Sequence, residues 1–339
     1  MKALVWKGPS LMEIEESPKP DLRPGWVLLA VEDSGICGSE IGAFLGHNEL
    51  RRPPLIMGHE FSGLVTELGP EVPREWQGQL VTVNPILSCG QCRTCRRGLR
   101  QLCASRKIIG VDYPGSYAEF VAAPVGACYR IRDSLVGALV EPLACGVRAT
   151  SLAQIETGDS VMVIGAGTIG LMATRLAGAR GASSCVVVDT NPARLRWASN
   201  WGATSVLNPK TDDVQALVKE STSGDGVDCV IDAVGSSQTR AQGVAVVRRG
   251  GRVVLMGLHE NATNLPGNEI VRFEKQLIGS FSYSDEDFRR AVVLADGGFL
   301  ETSSGWLDIR GLETGQASFT EQSLGSAPFS KVMLRSRTA

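Results

Sequence analysis

Residues 1 to about 140 carry short apolar or alternating runs separated by Gly, Pro and Asn. Examples are "WVLLAVED", "FSGLVTELG" and "GQLVTVNP". Alternation with a period of two between turn residues is typical of half-buried strands. The first part of the chain is therefore predicted to be mostly β.

The pattern changes after about residue 150. The apolar runs "SVMVIGAG", "SSCVVVDT", "VDCVIDAVG" and "GRVVLMGL" alternate there with stretches of helical periodicity. Buried parallel strands covered by helices produce this pattern, which predicts a doubly wound α/β domain. The last fifty or so residues begin with a predicted helix and then lose the alternation, so we expect them to return to the first domain.

Length and charge narrow the class of protein. A chain of 339 residues supports two domains, each with its own core. The formal charge of -2 gives no general attraction for nucleic acid or an anionic membrane, so such partners are disfavoured. The N-terminus lacks the apolar core of a secretory signal, and Glu141, Pro142 and Arg148 interrupt the longest apolar stretch. We therefore predict no membrane segment and a cytoplasmic location.

A dinucleotide signal lies in "VMVIGAGTIGLMATRLAGARGA". Gly165, Gly167 and Gly170 have G-x-G-x-x-G spacing between a predicted strand and helix, where backbone can approach a pyrophosphate. Asp189 ends the next predicted strand, where a carboxylate bonds the adenosine ribose and favours NAD over NADP. Arg194 either lies along the adenosine or is a solvated helical residue. A glycine turn without a ligand is the alternative interpretation.

Four of the nine cysteines fall in "CGQCRTCRRGLRQLC". Cys89, Cys92, Cys95 and Cys103 follow C-x2-C-x2-C-x7-C, a spacing that can close a tetrahedral shell and predicts a structural zinc. Nearby arginines would offset the negative charge of four thiolates. An iron–sulfur cluster is less compatible, because the last gap is seven residues and Ala104, not proline, follows. Four thiols without a metal are the remaining alternative.

A second, open zinc site is predicted from scattered residues. Cys37 in "GICGSE" and His59 in "GHEFSGLV" supply two ligands, and either Glu60 or Glu141 completes the set. Three protein ligands and one exchangeable position are the pattern of a catalytic zinc. Taken singly, His59 could be a satisfied core imidazole and Cys37 a small buried residue. The choice between the two carboxylates stays open.

With these motifs the chain resembles the zinc-containing medium-chain alcohol and polyol dehydrogenases, the family of sorbitol and threonine dehydrogenases. The matching stretches also include "EPLACGVRA", "VLMGL" and "IGSFSY", in family order from about residue 30 to about 285. The resemblance implies a GroES-like catalytic domain of residues 1–148 and 284–339 and a Rossmann domain of residues 149–283. It also implies a cleft between them that holds NAD and the catalytic zinc, and a homodimer or homotetramer.

The resemblance assigns further roles. Ser39 would accept the alcohol proton and pass it on through the nicotinamide ribose, while hydride moves to the nicotinamide ring. Additional cofactor contacts are implied at Ile169, Met256, Gly257, Leu258, Ser280 and Phe281. Glu141 in "EPL" resembles the polyol branch, so we expect a polyol or another secondary alcohol as substrate. A zinc-free NADPH-dependent quinone or enone reductase and a non-catalytic NAD-binding regulatory protein are the alternatives.

Two positions depart from the family pattern. Gly42 stands where many relatives carry a histidine as the outer member of the proton relay. His47 is either its substitute or a surface residue, and we favour the surface. Glu40 replaces the usual aspartate after the relay hydroxyl, and its longer side chain must alter the contacts behind the metal ligands.

Overall fold

The computed structural model describes residues 1–47, 50–303 and 305–336. The chain forms two compact units, one of Met1–Leu143 with Ser284–Ala339 and one of Ala144–Tyr283. The sequence analysis placed the two boundaries between residues 148 and 149 and between residues 283 and 284.

The N-terminal part of unit 1 is built mainly from short strands. They are β1 (Lys2–Gly8), β2 (Leu11–Glu16), β3 (Trp26–Gly35), β4 (Leu55–Ile56), β5 (Glu60–Leu68), β6 (Leu80–Val83), β7 (Ile86–Leu87), β8 (Lys107–Ile108), β9 (Phe120–Pro124) and β10 (Cys128–Arg130). The helices are α1 (Gly38–Phe44), α2 (Arg93–Arg96), α3 (Ser134–Ala138) and α4 (Val140–Leu152), and α4 continues into unit 2.

Unit 2 alternates strands with helices. Its strands are β11 (Ser160–Ile164), β12 (Ser184–Val188), β13 (Ser205–Leu207), β14 (Val227–Asp232), β15 (Val247–Leu255) and β16 (Gln276–Gly279). Its other helices are α5 (Thr168–Ala179), α6 (Pro192–Asn200), α7 (Val214–Ser221), α8 (Ser237–Val246) and α9 (Gly267–Arg272). The strands pair in parallel in the order β13-β12-β11-β14-β15-β16, which is the order of a doubly wound dinucleotide-binding sheet. The predicted fold class is confirmed.

The C-terminal segment completes unit 1. It contains α10 (Asp285–Asp296), β17 (Leu307–Gly311), α11 (Gly315–Ser323) and β18 (Lys331–Arg335). Strand β18 pairs antiparallel with β3, with Met333 opposite Gly35, and it adds β17 on its other side. The main sheet of unit 1 has the order β10-β6-β5-β3-β18-β17, and β9 also pairs with β3. The C-terminal segment therefore lies beside the strands that carry the candidate ligands.

Each unit has its own hydrophobic interior. In unit 1, alternate positions of β3 bury Val27, Leu29 and Val31 in one core together with Phe61 of β5. In unit 2 the valine-rich strands bury residues on both sheet faces, as parallel strands between helices do. Burying one such side chain contributes about 1.5–3 kcal/mol, so each unit has a substantial apolar contribution to folding.

Among the described residues, the structure contains no helix with the length and apolar character needed to cross a membrane.

Candidate metal centres and dinucleotide site

Three predicted ligands of the open site come together in unit 1. The ligand atoms of Cys37, His59 and Glu60 all lie within 4.8 Å of one another. Strand pairing explains this proximity, because Gly35 at the end of β3 is opposite Glu60 at the start of β5. Cys37 then caps the N-terminus of α1. A thiolate, an imidazole and a carboxylate on one side of a small space form a donor set that suits zinc.

Glu141 stands apart from this group. It lies buried in the first turn of α4, and among the described residues the cluster of ligand atoms includes Glu60 but not Glu141. Its charge nevertheless contributes to raising the pKa of Lys331. The structure thus brings Glu60 to the cluster and leaves Glu141 nearby.

Lys331, which the sequence analysis missed, forms a buried ion pair with Glu60. Its ammonium also donates to the carbonyl oxygen of Ile36 at 3.1 Å. Burial lowers the pKa of Lys331, but the negative charges of Glu60 and Cys37 outweigh this effect, and the net pKa is raised. Lys331 therefore stays charged and fixes one oxygen of the Glu60 carboxylate.

Glu40 organises the backbone and ring behind the ligands. Its Oε1 accepts hydrogen bonds from His59 Nδ1 and the Gly58 amide, both at 2.8 Å. Its Oε2 accepts from the Cys37 amide at 3.1 Å and from the Tyr117 hydroxyl. The longer side chain of Glu40 therefore reaches the imidazole. Because Nδ1 donates to the carboxylate, the other ring nitrogen of His59 is the one that would bind a metal in place of a proton.

The electrostatics of the cluster also favour a cation. Burial raises the pKa of Glu40, but the charges of His59 and Arg51 and hydrogen bonds from His59 and Tyr117 lower it to about 2. Burial lowers the pKa of His59, whereas Glu40 and Cys37 raise it, and the net pKa is well above its ordinary value. The Glu40 shift comes from neighbouring positive charge and the His59 shift from neighbouring negative charge, so opposite charges alternate within the cluster. A divalent ion would satisfy the same groups.

Ser39 lies next to the ligand cysteine, and its hydroxyl donates to Cys37 Sγ at 3.4 Å. Gly42 in the same helix offers no side chain. His47 is exposed, and its amide donates to the Gly42 carbonyl at 2.8 Å. Of the two interpretations of His47, the structure supports the surface one. A buried arginine, Arg51, instead contacts Ser39.

The four cysteines of the predicted structural site also converge. The sulfur atoms of Cys92 and Cys95 are 3.4 Å apart, those of Cys89 and Cys103 are 3.5 Å apart, and the Cys89–Cys95 and Cys92–Cys103 distances are 3.9 Å. Zn–S bonds of about 2.3 Å in a tetrahedron imply sulfur separations of about 3.8 Å. The spacing fits one tetrahedral ion better than a cluster with a separate iron for each thiolate.

Local contacts prepare the most exposed thiol for ligation. Hydrogen bonds from the Gln91 and Cys92 amides lower the pKa of Cys89 to about 6. Burial raises the pKa of Cys95 to about 11. Because a metal binds the thiolate, Cys95 depends most on the ion itself for deprotonation.

In unit 2 the glycine motif forms a turn between β11 and α5. Gly165 has φ +98°, a conformation that other residues rarely adopt. A Cβ atom at Gly170 would collide with the Gly165 carbonyl oxygen, so the helix can approach the turn only with glycine there. Gly167 caps the helix, whose first amides can bind an anion.

Asp189 follows β12, the parallel neighbour of β11. Its Oδ2 accepts a hydrogen bond from the Ala166 amide and its Oδ1 from the Asn191 amide, both at 2.7 Å. The carboxylate is thus tied directly to the glycine turn. It stands where a ribose ligand of a doubly wound domain is expected.

The remaining predicted cofactor residues lie along the same edge of the sheet. Ile169 is in the first turn of α5, Met256, Gly257 and Leu258 follow β15, and Ser280 and Phe281 follow β16. Leu258 is 78% exposed. Within the described residues, the buried Oγ of Ser280 and the buried Nε of Arg194 have no hydrogen-bond partner. Unpaired buried polar atoms at this edge fit a polar cofactor.

Comparison with known proteins agrees with this arrangement. Residues 23–133 match the family model of the alcohol dehydrogenase GroES-like domain, and residues 168–296 match that of the zinc-binding dehydrogenases. The chain is 32% identical over 332 residues to a protein named "Probable D-xylulose reductase A" from Aspergillus terreus, covering 94% of this chain and 92% of that protein.

Solved structures of dehydrogenases also resemble this chain over nearly its whole length. A protein of Sinorhizobium meliloti 1021 assigned as a zinc-binding dehydrogenase, solved with NADP, has a TM-score of 0.92 at 30% identity, with 98% of each chain covered. Galactitol-1-phosphate dehydrogenase from Escherichia coli has a TM-score of 0.91 at 26% identity, covering 99% of this chain and 100% of that one.

Fold, ligand clusters and matches together define the class as a two-domain dehydrogenase with a GroES-like and a Rossmann region. The chain belongs to the zinc-containing medium-chain alcohol and polyol dehydrogenase family, which confirms the resemblance drawn from its motifs. It is an oxidoreductase of that family, and neither the zinc-free reductase nor the non-catalytic alternative is favoured.

Proposed function

We propose that the protein is an NAD-dependent zinc dehydrogenase that interconverts a polyol or other secondary alcohol and the corresponding ketone. The observation that carries this proposal is the cluster of Cys37, His59 and Glu60 with Ser39 beside it. A reductase without zinc has no use for such a donor set. A regulatory NAD-binding protein has no use for the Ser39 hydroxyl beside these metal-binding groups.

Cys37, His59 and Glu60 are the residues that would hold the catalytic zinc. When bound, the ion supplies a Lewis acid that makes an alcohol hydroxyl more acidic. Glu40 keeps the His59 ring in one orientation, and Lys331 keeps Glu60 in place. Ser39 accepts the substrate proton at its Oγ. Glu141, which is buried and whose charge acts on Lys331, is the alternative carboxylate ligand.

A second zinc is proposed at Cys89, Cys92, Cys95 and Cys103. All four positions of this shell are protein thiolates, so it can bind no substrate and its contribution is to folding. The sulfur distances support this assignment.

NAD is proposed as the cofactor, and its nicotinamide ring supplies the hydride acceptor. Asp189 supports NAD, because the 2′-phosphate of NADP would meet a carboxylate held by two backbone amides. The NADP in the Sinorhizobium protein makes a direct comparison of the two cofactors necessary.

A polyol is the favoured substrate class. The names of the Aspergillus and Escherichia relatives describe a xylulose reductase and a galactitol-1-phosphate dehydrogenase. Both names refer to polyhydroxylated compounds. We also propose a homodimer or homotetramer in the cytoplasm, where the nine cysteines would not form disulfides.

The proposal is tested with purified protein and a panel of polyols, phosphorylated polyols, hydroxy amino acids and simple secondary alcohols, each with NAD and with NADP. Formation of reduced cofactor with a polyol, lost on zinc removal and regained on zinc addition, is expected. Activity that survives complete removal of zinc would contradict the proposal. Sedimentation of the same sample gives the oligomeric state.

A further inference from the structure

The proton-accepting serine lacks the usual outer histidine. Gly42 has no side chain at that position, and His47 is exposed. Arg51, which is 6% exposed and comes from the segment before β4, contacts Ser39. The sequence analysis did not identify this residue.

Arg51 contacts Ser39 at two atoms. Its Nη1 donates to the Ser39 carbonyl oxygen and its Nη2 to Ser39 Oγ, each at 3.3 Å. Its Nη2 is also 3.5 Å from His59 Nδ1. That contact is not a productive hydrogen bond, since Nδ1 already donates to Glu40. The guanidinium thus holds both the backbone and the hydroxyl of one residue.

The chemistry of arginine excludes a simple replacement of the histidine. A guanidinium is always protonated in proteins and has no acceptor atom, so Arg51 cannot take the proton from Ser39. It can only donate. The role therefore differs from that of a base at the end of a relay.

A serine hydroxyl has one donor and two acceptor positions. Arg51 donates to Ser39 Oγ, whose own hydroxyl proton lies toward Cys37 Sγ. In the proposed transfer Oγ accepts the substrate proton and passes its own proton to the nicotinamide ribose hydroxyl, so the serine is neutral before and after. The charged donor stabilises partial negative charge on Oγ, so it favours release of the serine's own proton ahead of uptake of the substrate proton. No proton leaves Arg51, so the exchange balances.

We propose that Arg51 is a positioning residue that fixes the Ser39 hydroxyl for proton transfer. The inference rests on the proposed function, because it requires Ser39 to be the proton acceptor. It explains how the site can operate without a histidine at position 42.

The test compares Arg51→Met, Arg51→Lys and Ser39→Ala with Arg52→Met, since Arg52 is the exposed neighbour of Arg51 and serves as the matched control. Loss of a charged hydrogen bond predicts that Arg51→Met lowers kcat about 10- to 100-fold with little change in the KM for NAD. Arg51→Lys should recover part of kcat. Arg52→Met should match the wild type.

A double-mutant cycle separates positioning from other roles. In the Ser39→Ala background, Arg51→Met should change kcat less than about twofold, because the two residues act through the same hydroxyl. Zinc content by elemental analysis, NADH binding by fluorescence and Tm should stay at wild-type values in Arg51→Met.

Three results would overturn the inference. The first is an unchanged kcat in Arg51→Met. The second is an equal loss of kcat from Arg51→Met in the wild-type and Ser39→Ala backgrounds. The third is a loss of kcat in Arg51→Met accompanied by lost zinc or a lowered Tm. The first two leave an active wild type, so the proposed function would stand. A zinc-loaded wild type inactive on the whole panel would instead overturn the proposed function and this inference with it.

Discussion

Glu40 Oε1 accepts a hydrogen bond from His59 Nδ1 at 2.8 Å, although Glu40 is one methylene longer than the aspartate usual at its position. The extra length is accommodated because Tyr117 and two backbone amides bind the same carboxylate. Glu40 therefore holds the His59 imidazole in place, and its own carboxylate is held by Tyr117 and the two amides. Such support usually affects both metal affinity and activity.

The first prediction concerns this support. Glu40→Gln should weaken zinc binding at the open site about 10- to 100-fold, the usual effect of losing a carboxylate behind a ligand histidine. Zinc release to a chelator measures the change. Glu67→Gln, on an exposed glutamate paired with Lys19, is the control. Wild-type zinc retention in Glu40→Gln would show that the carboxylate does not support the ligand.

The two metal clusters should have separable roles. Cys37→Ser should abolish turnover and leave the fold intact, whereas Cys95→Ser should lower Tm, because a closed zinc site contributes to folding. Cys145→Ser changes a thiol outside both clusters and should keep two zinc ions per chain. Elemental analysis measures the zinc content per chain, and thermal unfolding measures Tm. One zinc or none per chain in fully active protein would rule out the assignment of two zinc sites.

Removal of the Ser39 hydroxyl should separate binding from chemistry. Ser39→Ala is expected to lower kcat by about two to four orders of magnitude while NAD still binds. His47→Ala should have little effect, because that side chain is exposed. If hydride transfer limits the rate and Ser39→Ala still turns over normally, the serine has no part in the mechanism.

Cofactor choice should depend on Asp189. Asp189→Ser removes the repulsion against the 2′-phosphate of NADP and weakens NAD, so the ratio of kcat/KM values should shift toward NADP. The ratio is measured with one alcohol at fixed ionic strength. Because Asp189 also binds the Ala166 and Asn191 amides, Tm is recorded in parallel. Equal wild-type efficiencies with NAD and NADP would contradict the assignment.

A pH-dependent contribution to stability is expected away from both metals. Burial raises the pKa of Asp228, but hydrogen bonds from Ser160 and Arg248 outweigh it, and the net pKa lies below 3.8. The stabilisation is thus present above about pH 3.8 and is lost as the pH falls through the folded pKa. Asp228→Asn should cost about 1–2 kcal/mol at neutral pH.

Denaturant unfolding of this variant and the wild type at several pH values tests the sign. The difference between them should shrink as the solution is acidified below about pH 3.8. A difference that grows on acidification would contradict the assigned direction.

Much of the candidate site was predictable because its signals are local. The glycine motif with Asp189 and the four cysteines each occupy a short stretch whose spacing reflects the geometry directly. The pairing of Cys37 with His59 needed the family resemblance, since the register of β3 and β5 brings them together. The sequence also left Glu60 and Glu141 equivalent, and only the folded chain distinguishes them.

Three supporting residues were not predictable. Arg51 precedes the ligand histidine in an ordinary loop, and Tyr117 reads as a core aromatic. Lys331 is separated from Glu60 by 271 positions. A side chain's type does not reveal its partner across such distances, because the partner depends on the register of strands that meet only in the folded sheet.

The pairing of β18 with β3 sets an order of events during synthesis on the ribosome. Cys37, His59 and Glu60 are synthesised first, and Lys331 follows Glu60 by 271 residues. Until then the Glu60 carboxylate has no ammonium partner, and a negative group without a counter-ion resists burial. We therefore expect burial of the Glu60 carboxylate to await β18, so a nascent chain carries Cys37, His59 and Glu60 before it can bury them together.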